Sequence, residues 1–196
     1  MRIFVAGASG LIGVRLVPLL TGTGHVVAGM TRSPEKAGML ADLGAEPVVV
    51  DVYDAPALTE AVGKFAPDVV FHQLTDLPDN LAELASAGPR NSRMRTEGTG
   101  NLLKVARAAN ARVIAQSISW EQEAEPARAQ TAEHERLILQ SNGVVIRYGQ
   151  FYGPGTYYPR TPPDRPRVHI DDAARLTLAS LEAPAGVTMV IDDRAI

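Results

Sequence analysis

Residues 3–13 read IFVAGASGLIG: a short apolar run, Ile3 to Ala6, passes directly into glycines at positions 7, 10 and 13. An apolar stretch of this length ending in glycine reads as a strand buried on both faces. Leu11, Ile12, Leu16, Leu19 and Leu20 then recur at helical spacing until Gly22 and Gly24 stop them. The glycines therefore sit where a strand hands over to a helix. Gly7 permits a sharp turn, Gly10 lets the backbone approach an anion with no Cβ in the way, and Gly13 lets helix and strand pack closely. Free N–H groups at the helix start then face the anion. The spacing is G-x-x-G-x-x-G rather than G-x-G-x-x-G, so the motif alone is also compatible with an ordinary glycine turn. Its strand–turn–helix setting favours a dinucleotide pyrophosphate.

The same alternation continues along the chain. HVVAGM precedes a helical stretch from Pro34 to Leu43, EPVVV precedes Ala55 to Phe65, and DVVFHQ precedes a long helical segment ending near Asn110. RVIAQS is followed by a helix over Ala127 to Ser141, and then by GVVIRY. Six strands joined by helical crossovers call for a parallel sheet covered on both faces. VHIDDAARLTLASLEA reads as a short extended piece and an amphipathic helix capped by Asp171 or Asp172, and GVTMVI as a seventh strand. The expected fold is a doubly wound parallel α/β sheet of about seven strands, a Rossmann fold. The segment GQFYGPGTYYPRTPPDRPR is loop by composition.

The 196 residues, 45% apolar and 21% charged, suffice for one domain spanning 1–196. Net charge is −3 and the basic residues are scattered, which argues against a nucleic-acid partner. The absence of cysteine removes disulfides, thiolate nucleophiles and cysteine-type zinc sites, and the four histidines lack metal-ligand spacing. No stretch reads as a signal sequence or membrane span, so a cytoplasmic protein without membrane contact is expected.

At the end of the second strand, GMTRSPEK offers Arg32 where an acidic residue would accept from a ribose 2′-hydroxyl. An arginine there stacks on adenine and pairs with a 2′-phosphate, which favours NADP(H) over NAD(H). Lys36 adds a second positive charge or is simply a solvated helix-face lysine. Asp51, in VVVDVYD, accepts from the adenine amino group with Val52 beside it, or else caps the following turn.

GASGLIG, TRSPEK, VVVDVYD, PDVVFHQLTD, RTEGTGNLLKVARAANARVIAQSIS, GVVIRYGQFYGPGT and VHIDDAARLTLASLE stand in one order. In this combination the chain resembles the extended and atypical short-chain dehydrogenase/reductase superfamily, in its NAD-dependent epimerase/dehydratase-like branch. The resemblance implies a cofactor site built from Gly7, Ser9, Gly10, Leu11, Ile12, Arg32, Lys36, Asp51, Val52, Gln73, Leu74 and Thr75. It adds Ser117 beside the nicotinamide, Tyr148, Gly149 and Gln150 near its carboxamide, and Gly153 and Gly155 at the mouth of the substrate cleft. His169 and Asp171 are structural in this scheme. A homodimer through the long fourth and fifth helices is a further implication.

Two departures stand out. Members that transfer hydride carry Tyr-x-x-x-Lys at the start of the helix before the sixth strand, where the lysine lowers the tyrosine's pKa. Aligned on the helix ARAQTAEHERLIL, those positions are Ala127 and Thr131, and no Tyr-x-x-x-Lys occurs anywhere in the chain. Arg95 also replaces the asparagine common before GT. Second, the segment 151–167 stands where extended members build a substrate domain, so the substrate cap is largely missing. Substitute acids are Ser117 and Tyr152, followed by Ser119, Tyr157, Tyr158, Glu133 and His134. Tyr152 reads more readily as a packing residue with a hydrogen-bonded hydroxyl, and Glu133, Glu135 and Arg136, with His134 on the same side or at its edge, as a solvated helix face. The expected function is an NAD(P)-binding oxidoreductase acting on a small hydroxyl, carbonyl or sugar-type substrate without the dyad. The alternative is a non-catalytic NADP(H) sensor or accessory protein.

Overall fold

The computed structural model describes residues 1–120 and 125–192. Strand β1 (Arg2–Ala6) leads through the glycine turn into helix α1 (Gly13–Gly22). There follow β2 (Val26–Thr31), α2 (Ala37–Asp42), β3 (Glu46–Val49), α3 (Ala55–Phe65) and β4 (Val69–His72). A helical run comes next: a 3₁₀ stretch, Leu81–Ala87, then α4 (Gly88–Arg93), a π-helical turn, Met94–Gly98, and α5 (Thr99–Ala108). The second half comprises β5 (Arg112–Ile118), α6 (Ala127–Gln140) and β6 (Val144–Tyr148), then β7 (Gln150–Tyr152) and β8 (Arg167–His169). It closes with α7 (Ile170–Ala179) and β9 (Gly186–Val190). No helix among the described residues is long and apolar enough to cross a membrane.

The main sheet has seven parallel strands in the order β3-β2-β1-β4-β5-β6-β9. Side chains alternate faces along each strand, so β1 divides its residues between two cores. Ile3 and Val5 join α1, α2 and α7 on one side, and Phe4 and Ala6 join α3, α5 and α6 on the other. The order reverses between β1 and β4. Loops leaving neighbouring strands diverge there, opening a crevice at the strands' carboxyl ends.

The glycine turn is fixed by close packing. A Cβ on Gly13 would lie 2.3 Å from the Gly7 carbonyl oxygen and 2.4 Å from that of Ala8. Gly7 has φ +92°, and a Cβ there would meet the Gln73 carbonyl oxygen at 2.8 Å.

Three expectations need correction. The ends of the loop-like segment pair as a two-stranded parallel ribbon, β7 with β8, because Gln150 to Tyr152 run alongside Arg167 to His169. The cap of α7 is His169, whose Nδ1 accepts from the Asp171 amide at 3.3 Å, rather than either aspartate. Asp171 instead receives Arg15 Nε at 2.9 Å. The stretch from Pro34 opens as a 3₁₀ turn, Pro34–Lys36, before α2 begins.

Replacing Gly13 with alanine should cost about 3 kcal/mol or more, since backbone carbonyls rather than flexible side chains must yield. Chemical denaturation measures this, and a loss below about 1 kcal/mol would contradict the packing described.

Candidate functional site

At the carboxyl ends of β1, β2, β4, β5 and β6 lies a cleft of about 950 Å³, within the range of small-ligand sites. It gathers Gly7, Ser9, Gly10, Leu11, Ile12, Arg32, Lys36, Asp51, Val52, Gln73, Leu74 and Thr75, together with Ser117, Tyr148, Gly149 and Gln150. Tyr152 is not brought there. Its hydroxyl donates to Asp192 Oδ2 at 2.6 Å and its ring stacks edge-on to His169. Tyr157 and Tyr158 line the cleft, whereas Ser119 and Arg160 do not.

The floor of the cleft can accommodate a pyrophosphate. A Cβ on Gly10 would meet only the Gly7 carbonyl oxygen, at 3.3 Å, a contact that small shifts relieve. The conformational restriction thus lies at Gly7 and Gly13, and the space above Gly10 is left to a ligand. Among the described residues, the amides of Leu11 and Ile12 have no backbone acceptor, and α1 begins without a side-chain cap. Anions favour such helix starts.

Arg32 reaches in from the end of β2. Its side chain is 61% exposed and contacts Asp76 Oδ1 at 3.5 Å, so it can swing to another anion. The Asp51 carboxylate accepts from the Tyr53 amide at 2.9 Å, which is the turn-capping role, while the residue still lines the cleft. The late segment forms a further wall. Arg15 Nη2 donates to the Pro154 carbonyl at 2.7 Å, and the Tyr157 hydroxyl donates to the Pro78 carbonyl, linking the segments that follow β4 and β7.

The opposite end is built from β5, β6 and α6. Ser117 is buried and donates to Glu135 Oε1 at 2.5 Å, so its single proton is committed away from the cleft. Glu135 also accepts from Arg147 Nε at 2.9 Å and from Nη2 at 2.5 Å. Burial opposes its ionisation, but the bonds from Arg147 and Ser117 outweigh burial and hold the carboxyl below its ordinary range. The Tyr148 hydroxyl contacts Thr177 Oγ1 at 2.5 Å, and burial pushes its pKa far up. Neither Ser117 nor Tyr148 is arranged as a proton donor.

The expectation of a solvated face on α6 holds for Glu133, which pairs with Arg136, and fails for its two neighbours. His134 is 2% and Glu135 7% exposed. His134 Nε2 donates to the Gln116 carbonyl at 2.9 Å, leaving Nδ1 to accept from Thr99 Oγ1 at 2.8 Å. Thr99 in turn accepts from His72 Nε2 at 3.0 Å, and His72 Nδ1 accepts from the Leu74 amide at 3.4 Å. Both rings are neutral in this relay of bonds. It braces the cleft-lining turn after β4 from behind. Trp120, Gln130, Arg90 and Arg95 also line the cleft.

Residues 3–137 match the model of the NAD dependent epimerase/dehydratase family. The chain belongs to that family. The family lies in the extended short-chain dehydrogenase/reductase superfamily. Among curated family relatives, a 3-diazoavenalumate denitrifying reductase of Streptomyces is 37% identical over 236 aligned positions, covering 98% of this chain and 76% of that protein. A ketoreductase of Stigmatella aurantiaca, acting on a farnesylated dihydroquinoline oxide, is 32% identical over 75% of this chain and 49% of its own. The same fold occurs in UDP-glucose 4-epimerase of Thermus thermophilus in complex with NAD, with TM-score 0.80 and 22% identity. That match covers 99% of this chain and 78% of the epimerase. The chain is thus a member of an NAD-dependent oxidoreductase family that includes reductases.

Two outcomes follow. Gly10→Val should fold with near-native stability yet weaken dinucleotide binding by about a hundredfold, because its side chain occupies the anion's place. Denaturation together with calorimetric titration separates the two effects, and retained affinity would refute this cradle. Burial lowers the His134 pKa to about 4, only partly offset by its bond to Gln116, and burial likewise depresses His72. An unfolded histidine takes up its proton near pH 6.5, so stability should fall as pH drops from about 6.5 towards 4, by at most about 1.4 kcal/mol per pH unit for each ring. Denaturation midpoints measured across that range test this. His134→Gln should shallow the slope, and a slope equal to the wild type would contradict a neutral buried ring.

Proposed function

We propose that the protein is an NADP(H)-dependent reductase whose acceptor is a small electrophile reduced without a Tyr–Lys relay. The segment 151–167 serves as the substrate-side wall. What supports this reading is one cleft with the glycine turn and the open amides of Leu11 and Ile12 at one end and, at the other, hydroxyls already committed to Glu135 and Thr177.

When bound, the dinucleotide supplies a hydride. The residues of this chain do the rest. Gly10 and the amides of Leu11 and Ile12 receive the pyrophosphate, and Arg32 takes the 2′-phosphate, exchanging its long contact with Asp76 for a charge-assisted bond. Reducing a carbonyl generates an alkoxide that needs a proton donor, which Ser117 does not provide while it donates to Glu135. When a carbon bearing a diazo group, such as the one in the Streptomyces relative's name, takes the hydride, a C–H bond replaces the C–N bond and dinitrogen leaves, so no alkoxide forms. A diazo acceptor therefore suits this site better than a carbonyl.

Arg32→Ala should weaken NADPH binding by roughly 1.5–3 kcal/mol and leave NADH nearly unchanged. Calorimetry with both cofactors tests this, and equal losses would remove the phosphate assignment. With NADPH bound, a quinone diazide should be consumed faster than an aldehyde of similar size, followed by nicotinamide absorbance against a protein-free control. Tight NADPH binding with no turnover of either would favour the sensor reading.

A further inference from the structure

Arg95 occupies an unusual position for a cation. It sits in the π-helical turn Met94–Gly98, is 8% exposed, and yet lines the cleft. π-helical turns often mark functional sites because the extra residue redirects side chains that a regular helix would point elsewhere. Nη1 of Arg95 donates to Thr131 Oγ1 at 2.5 Å, on the helix α6 that also supplies Ala127 and Gln130 to the cleft. A guanidinium carries five N–H donors, and a neutral hydroxyl satisfies one.

Among the described residues no carboxylate lies within ion-pair distance of Arg95. The carboxylate that acts on it electrostatically, Glu135, is already taken by Arg147 and Ser117. Removing an ion from water costs several kcal/mol unless a partner compensates. A counter-ion arriving in the cleft would stabilise such a residue. The pyrophosphate cradle lies at Gly10 and Arg32 holds the ribose side, so neither phosphate group of a dinucleotide is the natural partner. Among the described residues at this end, Ser117, Ile118, Trp120 and Gln130 line the cleft without a charge of their own.

We propose that Arg95 is the anion subsite of the substrate pocket and binds a carboxylate carried by the substrate, for which the planar fork of the guanidinium is suited. The proposal rests on the reading of this end of the cleft as the substrate end, and it narrows the acceptor class to carboxylic acids.

Trp120, the chain's one tryptophan, lines the cleft and reports occupancy by its fluorescence. Benzoate and benzamide have nearly the same shape and differ in charge, so they serve as probes with the protein saturated with NADP. Wild-type protein should bind benzoate about tenfold or more tighter than benzamide, the scale of one charge-assisted bond. Arg95→Gln should erase that difference by weakening benzoate alone, Arg95→Lys should keep part of it, and NADPH affinity should stay within about twofold of wild type in both. Equal binding of the two probes, binding of neither, or equal loss of both in Arg95→Gln would overturn the proposal. Equal binding of the two probes by wild-type protein overturns the proposal even if Arg95→Gln does not fold. Failure of wild-type protein to bind NADPH would instead remove the dinucleotide reading, while loss of the benzoate preference in Arg95→Gln, measured without nucleotide, still judges Arg95.

Discussion

The backbone at Gly13 passes so close to the carbonyls of Gly7 and Ala8 that no side chain fits between them. This contact sets the angle at which α1 leaves β1, and most of the molecule follows from it. The turn is held tightly enough that the Gly7 backbone lies against the Gln73 carbonyl, which brings the end of β4 beside the end of β1. Strand order reverses at that pair, so this close packing borders the cleft.

Behind the opening, polar groups are buried in pairs and chains rather than singly. His72, Thr99 and His134 pass one set of hydrogen bonds from the turn after β4 to the carbonyl of Gln116 on β5. Ser117, Glu135 and Arg147 form a second set between β5, α6 and β6. Each group in these sets offsets the desolvation of another, which is the condition under which polar atoms persist in a core. Their shared effect is to fix the ends of β4 and β5 against α6.

The sheet was legible in the sequence because its strands are apolar runs and its helices repeat at 3.6 residues, both local patterns. The cradle was legible for the same reason: Gly7, Gly10 and Gly13 and the residues at each strand's carboxyl end occupy places that a parallel sheet brings together. Contacts between distant residues were not legible. The run Glu133 to Arg136 has the composition of a wet surface, and nothing nearby signals that Glu135 meets Arg147 and Ser117 on two different strands. The ribbon of β7 and β8 was hidden by its three-residue strands and by the glycines and prolines between them. His169 as a cap was masked by two aspartates that are better cappers by type. Arg95 stood out by its type alone, and its place in the cleft depends on a helical irregularity and on Thr131, 36 positions away.

The bond between the Tyr157 hydroxyl and the Pro78 carbonyl joins two walls that are far apart in the chain. A ligand that threads between those walls has to part this latch on the way in and again on the way out. A latch that closes equally over the empty and the filled cleft adds the same barrier to both passages. Such a latch lengthens residence without altering affinity.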